Sequence, residues 1–357
     1  MSTLHDGPAS SLFTPLPLHG IPLDQLAQFN PSQPMLDALP HAPRGACVGW
    51  GIPFQIDEVI TISDQPIQVA IKPTLARWVV FMHTSDIRPQ PVNASGFVSP
   101  TRGRGQLAEH AADYALVYAD GTQARAAIKR QQQLGPFQRT WGENCFEAVA
   151  QHKPYPLRTG LEQPYHARGF DWGSTQERAH AADFGDWVNW LWAWENPYPE
   201  KEIVALRFEP VSGLVIISAI SLGSVASQPL RWQTRRKACL KLPAGESFQP
   251  DRDENGLLKH LQLDLGQVIS ASKRLVYPNE TWSATYNNQI PSQASAEILV
   301  EYTAHPQACF HLSDGRSIPV GTAEAGQSAG DLAPVAPADQ LVRLRVVDHT
   351  SGKCVPV

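Results

Sequence analysis

Proline is the residue that most constrains how this chain can fold. The sequence has 31 prolines among 357 residues, and a proline interrupts the hydrogen bonds of a helix interior or of a central strand. Short elements joined by loops are therefore expected. The apolar residues alternate with period two in short runs that recur roughly every 8–12 residues, which is the pattern of strands in a sandwich. The sequence predicts a mostly β protein built from sandwich modules.

Two strands and a hairpin are the clearest predicted elements. Ala76–Thr84 is apolar on both faces, which predicts a central strand. Residues 114–128 alternate on either side of an Asp-Gly pair, which predicts a tight hairpin. Trp187–Trp194 predicts a second strong strand. We also expect a helical turn at Leu23–Phe29 and a short helix over Glu143–His152.

Composition shifts along the chain predict three segments. Residues 1–44 contain eight prolines and no sustained period, so we expect an N-terminal arm that wraps the surface. Residues 45–245 carry the strongest strand patterns and form the first sandwich. A polar stretch then introduces residues 246–357, a linker and second β module. Because this module ends four residues into a predicted return strand, we expect it to be incomplete and the chain to be a fragment.

The composition argues against several classes of partner. Charged residues make up 18% of the chain and its net charge is −5, whereas a nucleic-acid-binding surface needs clustered Lys and Arg. No apolar run approaches the roughly 18 residues of a membrane span, and no secretory signal begins the chain. The five cysteines form no C-x-x-C pair, as expected of reduced thiols. We expect a cytoplasmic protein without nucleic-acid or membrane partners.

The motifs do not add up to a catalytic site. Twelve histidines include no H-x-H, H-x-x-x-H or H-E-x-x-H spacing, the usual way one element presents two metal ligands. Gly326–Gly330 matches G-x-S-x-G, which is either a linker or a nucleophile elbow at Ser328. Cys145 and His152 would share a helix face as a buried thiol or a weak dyad. The sequence therefore assigns no catalytic, cofactor-binding or metal-ligating residue.

Three further features have both a structural and a functional interpretation. His83 ends the central strand and is either a core histidine or a polar group lining a pocket. Trp190, Trp192 and Trp194 share a face that is either sandwich core or a platform for sugar rings. The rigid turn Asn196–Glu202 either pairs locally or contacts a neighbouring domain.

Three segments together resemble a known family. Residues 77–84, 118–122 and 196–203 resemble a galactose-binding-like, jelly-roll β-sandwich of large bacterial hydrolases. The strand 342–347 and the residues 351–357 look like the module before the catalytic domain of carbaryl-hydrolase-type (CehA/McbA) metallohydrolases. Tyr198 departs from the pattern, because a histidine is expected there.

The resemblance implies an activity that lies outside these residues. In that family a C-terminal domain holds divalent metal ions, such as Zn or Mn, that activate a water for attack on a carbamate or ester carbonyl. No residue of this chain matches those ligands. The implied role is an accessory N-terminal region that scaffolds, dimerises and shapes access to a catalytic domain beyond Val357, with a small carbamate or ester as the parent's substrate.

Two other functions stay open from the sequence. The chain is alternatively a stand-alone carbohydrate-binding sandwich that uses its tryptophan row. It is alternatively a hydrolase in its own right, acting through Ser328 or dispersed metal ligands. Whether this chain is itself an enzyme is therefore left open.

Overall fold

The chain folds into two β modules, and an N-terminal arm packs against both of them. The structure, a computed structural model, describes residues 4–89, 92–97, 103, 105–139, 144–153, 185–232, 235–243, 245, 253, 257–276, 292–324, 332–335 and 345–355. The protein is mostly β, as the sequence predicts. Among the residues that the structure describes, no helix has the length and apolar character needed to cross a membrane.

The described elements are short, in keeping with the proline content. The strands are β1 (Phe13–Leu16), β2 (Gly45–Gly49), β3 (Ile52–Ile56), β4 (Ile60–Ile62), β5 (Ile67–Thr74), β6 (Trp78–Ser85), β7 (His110–Tyr118), β8 (Gln123–Lys129), β9 (Val149–Ala150), β10 (Trp190–Glu195), β11 (Ile203–Pro210), β12 (Val215–Gly223), β13 (Arg236–Lys241), β14 (Leu261–Leu263), β15 (Gly266–Val276), β16 (Ser292–Ala304), β17 (Cys309–Leu312), β18 (Ser317–Pro319) and β19 (Leu332–Pro334). The helices are α1 (Gln33–Ala38), α2 (Val320–Glu324) and two 3-10 helices, Leu23–Phe29 and Leu39–His41.

The first module is a sandwich of two antiparallel sheets. One sheet has the order β1-β12-β6-β10-β9, with β4 also paired to β12, and the other has the order β5-β11-β7-β8. Strand β6 lies between β12 and β10 and all eight of its residues are buried. The predicted central strand is therefore confirmed, because only a strand covered on both faces can be apolar on both.

Aromatic side chains fill the space between these two sheets. Phe81 of β6 lies 5.0 Å from Tyr114 of β7 and 5.6 Å from Trp192 of β10, measured between ring centroids. Phe208 of β11 meets Tyr114 edge-on at 5.1 Å. Such aromatic pairs add about 0.5–1.5 kcal/mol each beyond the area that they bury. The two sheets are thus held by contacts between residues far apart in sequence.

The outer face of the β6 sheet is covered as well. Val80, Met82 and Leu191 point away from the aromatic core and belong to a second apolar core. The arm contributes Leu4 to this core, and the second module contributes Val300. The arm and the second module therefore share one apolar core with the outer face of this sheet.

The second module consists of two small sheets. Their strand orders are β15-β16-β13-β19 and β14-β17-β18. Strand β13 precedes the predicted boundary at residue 245, yet it pairs with β16 along six residues from Arg236 to Lys241. The sheet pairing thus groups β13 with the second module.

The helix predicted over Glu143–His152 is wrong for residues 144–152. The backbone N–H groups of Phe146 and Ala148 donate to the carbonyl oxygens of Gln131 and Gln132, and Val149–Ala150 forms strand β9 against β10. Because these amides bond to a distant loop, they are unavailable to a helix. Tertiary hydrogen bonds override the local helical pattern here.

Candidate functional site at the junction of the two modules

His83 is a structural residue of the sandwich core. Its Nε2 lies 2.9 Å from the carbonyl oxygen of Gln133 and its Nδ1 lies 2.9 Å from the hydroxyl of Tyr114. The carbonyl can only accept, so Nε2 carries the proton and Nδ1 accepts from the tyrosine. Burial lowers the pKa of His83 to about 4. The ring therefore stays neutral and satisfied at neutral pH.

The tryptophan row lies in the core rather than on a ligand platform. Trp190 and Trp192 are 2% and 6% exposed, and Trp192 stacks on Phe81 within the sandwich. Trp194 is partly buried at the end of the row. A sugar-stacking surface needs ring faces open to solvent, so Trp190 and Trp192 do not provide one.

The other sequence candidates that the structure describes do not converge on one site. Cys145 packs against the sandwich core. His152 instead lies near Asp6: burial lowers the pKa of His152, and the charge of Asp6 opposes that shift. The turn Asn196–Glu202 is held locally, since Lys201 contacts Asp120 at 2.7 Å. Gly326–Gly330, with Ser328, lies outside the described residues. Within the described ranges, no group of three or more His, Cys, Asp or Glu is placed to hold a metal ion.

Sequence reasoning missed the most unusual polar site, a buried acid of the arm. Asp6 is 3% exposed, and its Oδ2 accepts hydrogen bonds from the backbone N–H groups of Trp50 (2.9 Å) and Lys153 (2.6 Å). Burial raises the pKa of Asp6, and the nearby Lys153 charge opposes that rise. The arm is thereby fixed to the turn between β2 and β3 and to the residues after β9.

Lys153 carries the charge that compensates this acid. It is 2% exposed, and its Nζ donates to the carbonyl oxygens of Leu263 (2.7 Å) and Asp264 (2.5 Å) in the second module. The ring of Trp232 lies 5.9 Å from the same Nζ. Burial lowers the pKa of Lys153 to about 8. A lysine of the first module thus ends inside the second.

The backbones of the two modules also come into close contact at Gly51. Gly51 has a φ of +78°, and a Cβ placed on it would clash with the carbonyl oxygen of Asp264. The Asp264 carboxylate holds this turn in place, since its Oδ1 accepts from the N–H groups of Leu265 and Cys309. Glycine is therefore required here both by conformation and by space. We call the set Asp6, Gly51, Lys153 and Asp264 the junction.

The junction has little room for a ligand. The cleft beside Lys153 has a volume of about 20 Å³ and is lined mainly by apolar residues of the second module, among them Leu257, Leu261 and Val268. That space holds about one water molecule. The two short bonds to carbonyl oxygens also favour the charged ammonium over a nucleophilic amine. The chemistry available at the junction is hydrogen bonding and the mutual compensation of nearby charges.

Comparison with known proteins adds no assignment. No protein-family model matches this chain, and no curated protein matches it either.

Replacing Gly51 with alanine tests the backbone contact at the junction. We expect Gly51→Ala to lower the free energy of unfolding by more than about 2 kcal/mol, because backbone strain adds to a clash with Asp264. Gly121→Ala is the matched control, since Gly121 has a φ of +80° and no neighbour within 4 Å of the added Cβ. Chemical denaturation measures both. Equal losses in the two variants would contradict the close approach of the modules.

A double-mutant cycle tests the buried charges. We expect Lys153→Met to cost about 3–5 kcal/mol of unfolding free energy, because it leaves the Asp6 carboxylate buried without its counter-charge. Asp6→Asn should lower the unfolding free energy less in the Lys153→Met protein than in the wild type. The difference between the two losses, the coupling energy, should be at least about 1 kcal/mol. Lys201→Met removes an exposed ion pair and should cost at most about 1 kcal/mol. Additive losses would contradict the pairing.

Proposed function

We propose that this chain is the accessory, non-catalytic N-terminal region of a metal-dependent hydrolase similar to the carbaryl hydrolases. Under this proposal the first module is a galactose-binding-like jelly roll. In this role the chain is a cytoplasmic, dimeric scaffold that controls access to a catalytic domain beyond Val357. That domain holds the divalent metal ions, whose bound water attacks the carbamate or ester carbonyl.

The observation that carries the proposal is the burial of Lys153 between the modules. Modules joined by small polar contacts move relative to one another by default. Here a buried ammonium, the arm residue Asp6 and the backbone at Gly51 give the second module a fixed position on the first. A support of this kind holds a following domain in a set geometry, which a shaped active-site entrance requires.

One observation favours the alternative of a carbohydrate-binding sandwich. Trp50 and Trp232 are partly exposed, and their ring centroids lie 4.8 Å apart with planes tilted by 44°. The pair forms a wedge rather than a flat row, so it suits a single ring better than an extended chain of sugars. Glycan binding that is lost in Trp232→Ala with the fold intact would favour this alternative.

Hydrolysis of a naphthyl carbamate, measured with added Zn²⁺ or Mn²⁺, tests the proposal. The proteins compared are this chain and the product of its complete reading frame. We expect turnover by the longer product alone. Lys153→Met should lower its kcat/KM several-fold at unchanged metal content, because a loosened junction misplaces the catalytic domain. The exposed Lys201→Met variant should match the wild type.

Two results would overturn the proposal. One is hydrolysis of the carbamate by residues 1–357 alone. If Ser328→Ala abolished that hydrolysis, the activity would belong to this chain. The other is a reading frame that ends at Val357. Full activity of the Lys153→Met protein would remove the scaffold role but leave the hydrolase assignment in place.

A further inference from the structure

The turn between β16 and β17 forms a second contact between the modules, separate from Lys153. His305 in this turn is 1% exposed, and its Nε2 lies 2.8 Å from the Oγ of Ser227, on the loop that follows β12. Gln307 of the same turn accepts a hydrogen bond from the backbone N–H of Ala226 at 2.7 Å. Two side chains of the second module therefore hold one loop of the first.

The hydrogen bonds of His305 fix its protonation state. The backbone N–H of Gln307 donates to Nδ1 at 3.0 Å, so Nδ1 carries no proton. Nε2 consequently carries the proton and donates to Ser227. A general base needs a bare nitrogen facing the hydroxyl, so this pair is not a nucleophile and its base. It is a hydrogen bond that depends on a neutral ring.

We propose that this contact is acid-sensitive, so that protonation of His305 releases the loop after β12 from the second module. A second ring proton would place an N–H of His305 directly against the N–H of Gln307. The bond between them is lost, and a charge is buried where the neutral ring was satisfied. Release of the turn also removes the acceptor that Gln307 offers to Ala226.

The charged groups around His305 set the direction of the effect. Burial lowers the pKa of His305 below its usual 6.5, while a hydrogen bond to the Ser227 backbone and the charge of Asp264 oppose this shift without cancelling it. Asp264 itself is 3.7 Å from the Nε2 of His311, and its carbonyl oxygen accepts from Lys153. The opened state therefore binds the proton more tightly. The closed contact is fully stable above pH 6.5 and weakens as the pH falls, by up to about tenfold per pH unit.

Hydrogen exchange of the whole chain, measured from about pH 8 to about pH 5, tests the acid sensitivity of the His305 contact. The exchange rates are corrected for the intrinsic rate at each pH. We expect protection of the peptide 224–232 to fall by up to about tenfold per pH unit below pH 6.5, while the peptide 78–85 of β6 stays protected. His305→Gln keeps a donor for Ser227 and cannot gain a proton, so its protection should not change with pH. His110→Gln, a half-exposed histidine on β7, should behave as wild type.

Two outcomes would overturn the proposal. One is wild-type protection of 224–232 that does not change with pH, and the other is a pH response that persists in His305→Gln. If that variant does not fold, ring NMR signals of His305 in the wild type decide instead. Titration of the ring without loss of protection at Ala226 would then contradict it.

Discussion

The arrangement of this protein depends on one buried charge, the ammonium of Lys153. The Lys153 side chain extends from the first module into the second and is almost inaccessible to water. Its ammonium donates hydrogen bonds to two carbonyl oxygens of the second module. A buried cation without acceptors or a counter-charge is too costly to persist in a folded protein. The two carbonyl oxygens and the Asp6 carboxylate provide these together, so the arm, the first module and the second module must assemble around it.

Buried charges of this kind stabilise little in themselves, since desolvation offsets most of their mutual attraction. Their effect is on specificity, because few alternative placements of the second module would satisfy Lys153. The apolar core over the outer face of the β6 sheet supplies the burial, and the close approach at Gly51 fixes the register. Apolar contact therefore drives the modules together, and the junction decides how they meet.

Local patterns in the sequence were enough for the central strand and the hairpin of the first sandwich. The two apolar faces of β6 predict its central position, and Asp120-Gly121 predicts the hairpin β7–β8, where Gly121 has a φ of +80°. The junction has no comparable signal, because Asp6 and Lys153 are 147 residues apart and each is an ordinary charged residue in its own segment. The helix predicted over Glu143–His152 is wrong for the same reason, since its amides bond to a distant loop.

The pKa of Lys153 in the intact chain is the measurement that tests the junction most directly. Carbon-13 NMR of labelled lysine side chains, with the signal assigned by Lys153→Arg, measures that pKa site by site. We expect Lys153 to titrate at about 8, well below the ordinary lysine value, because the ammonium is buried between the modules. Titration of Lys153 near the ordinary lysine value of about 10.4 would show a solvated side chain and contradict the junction.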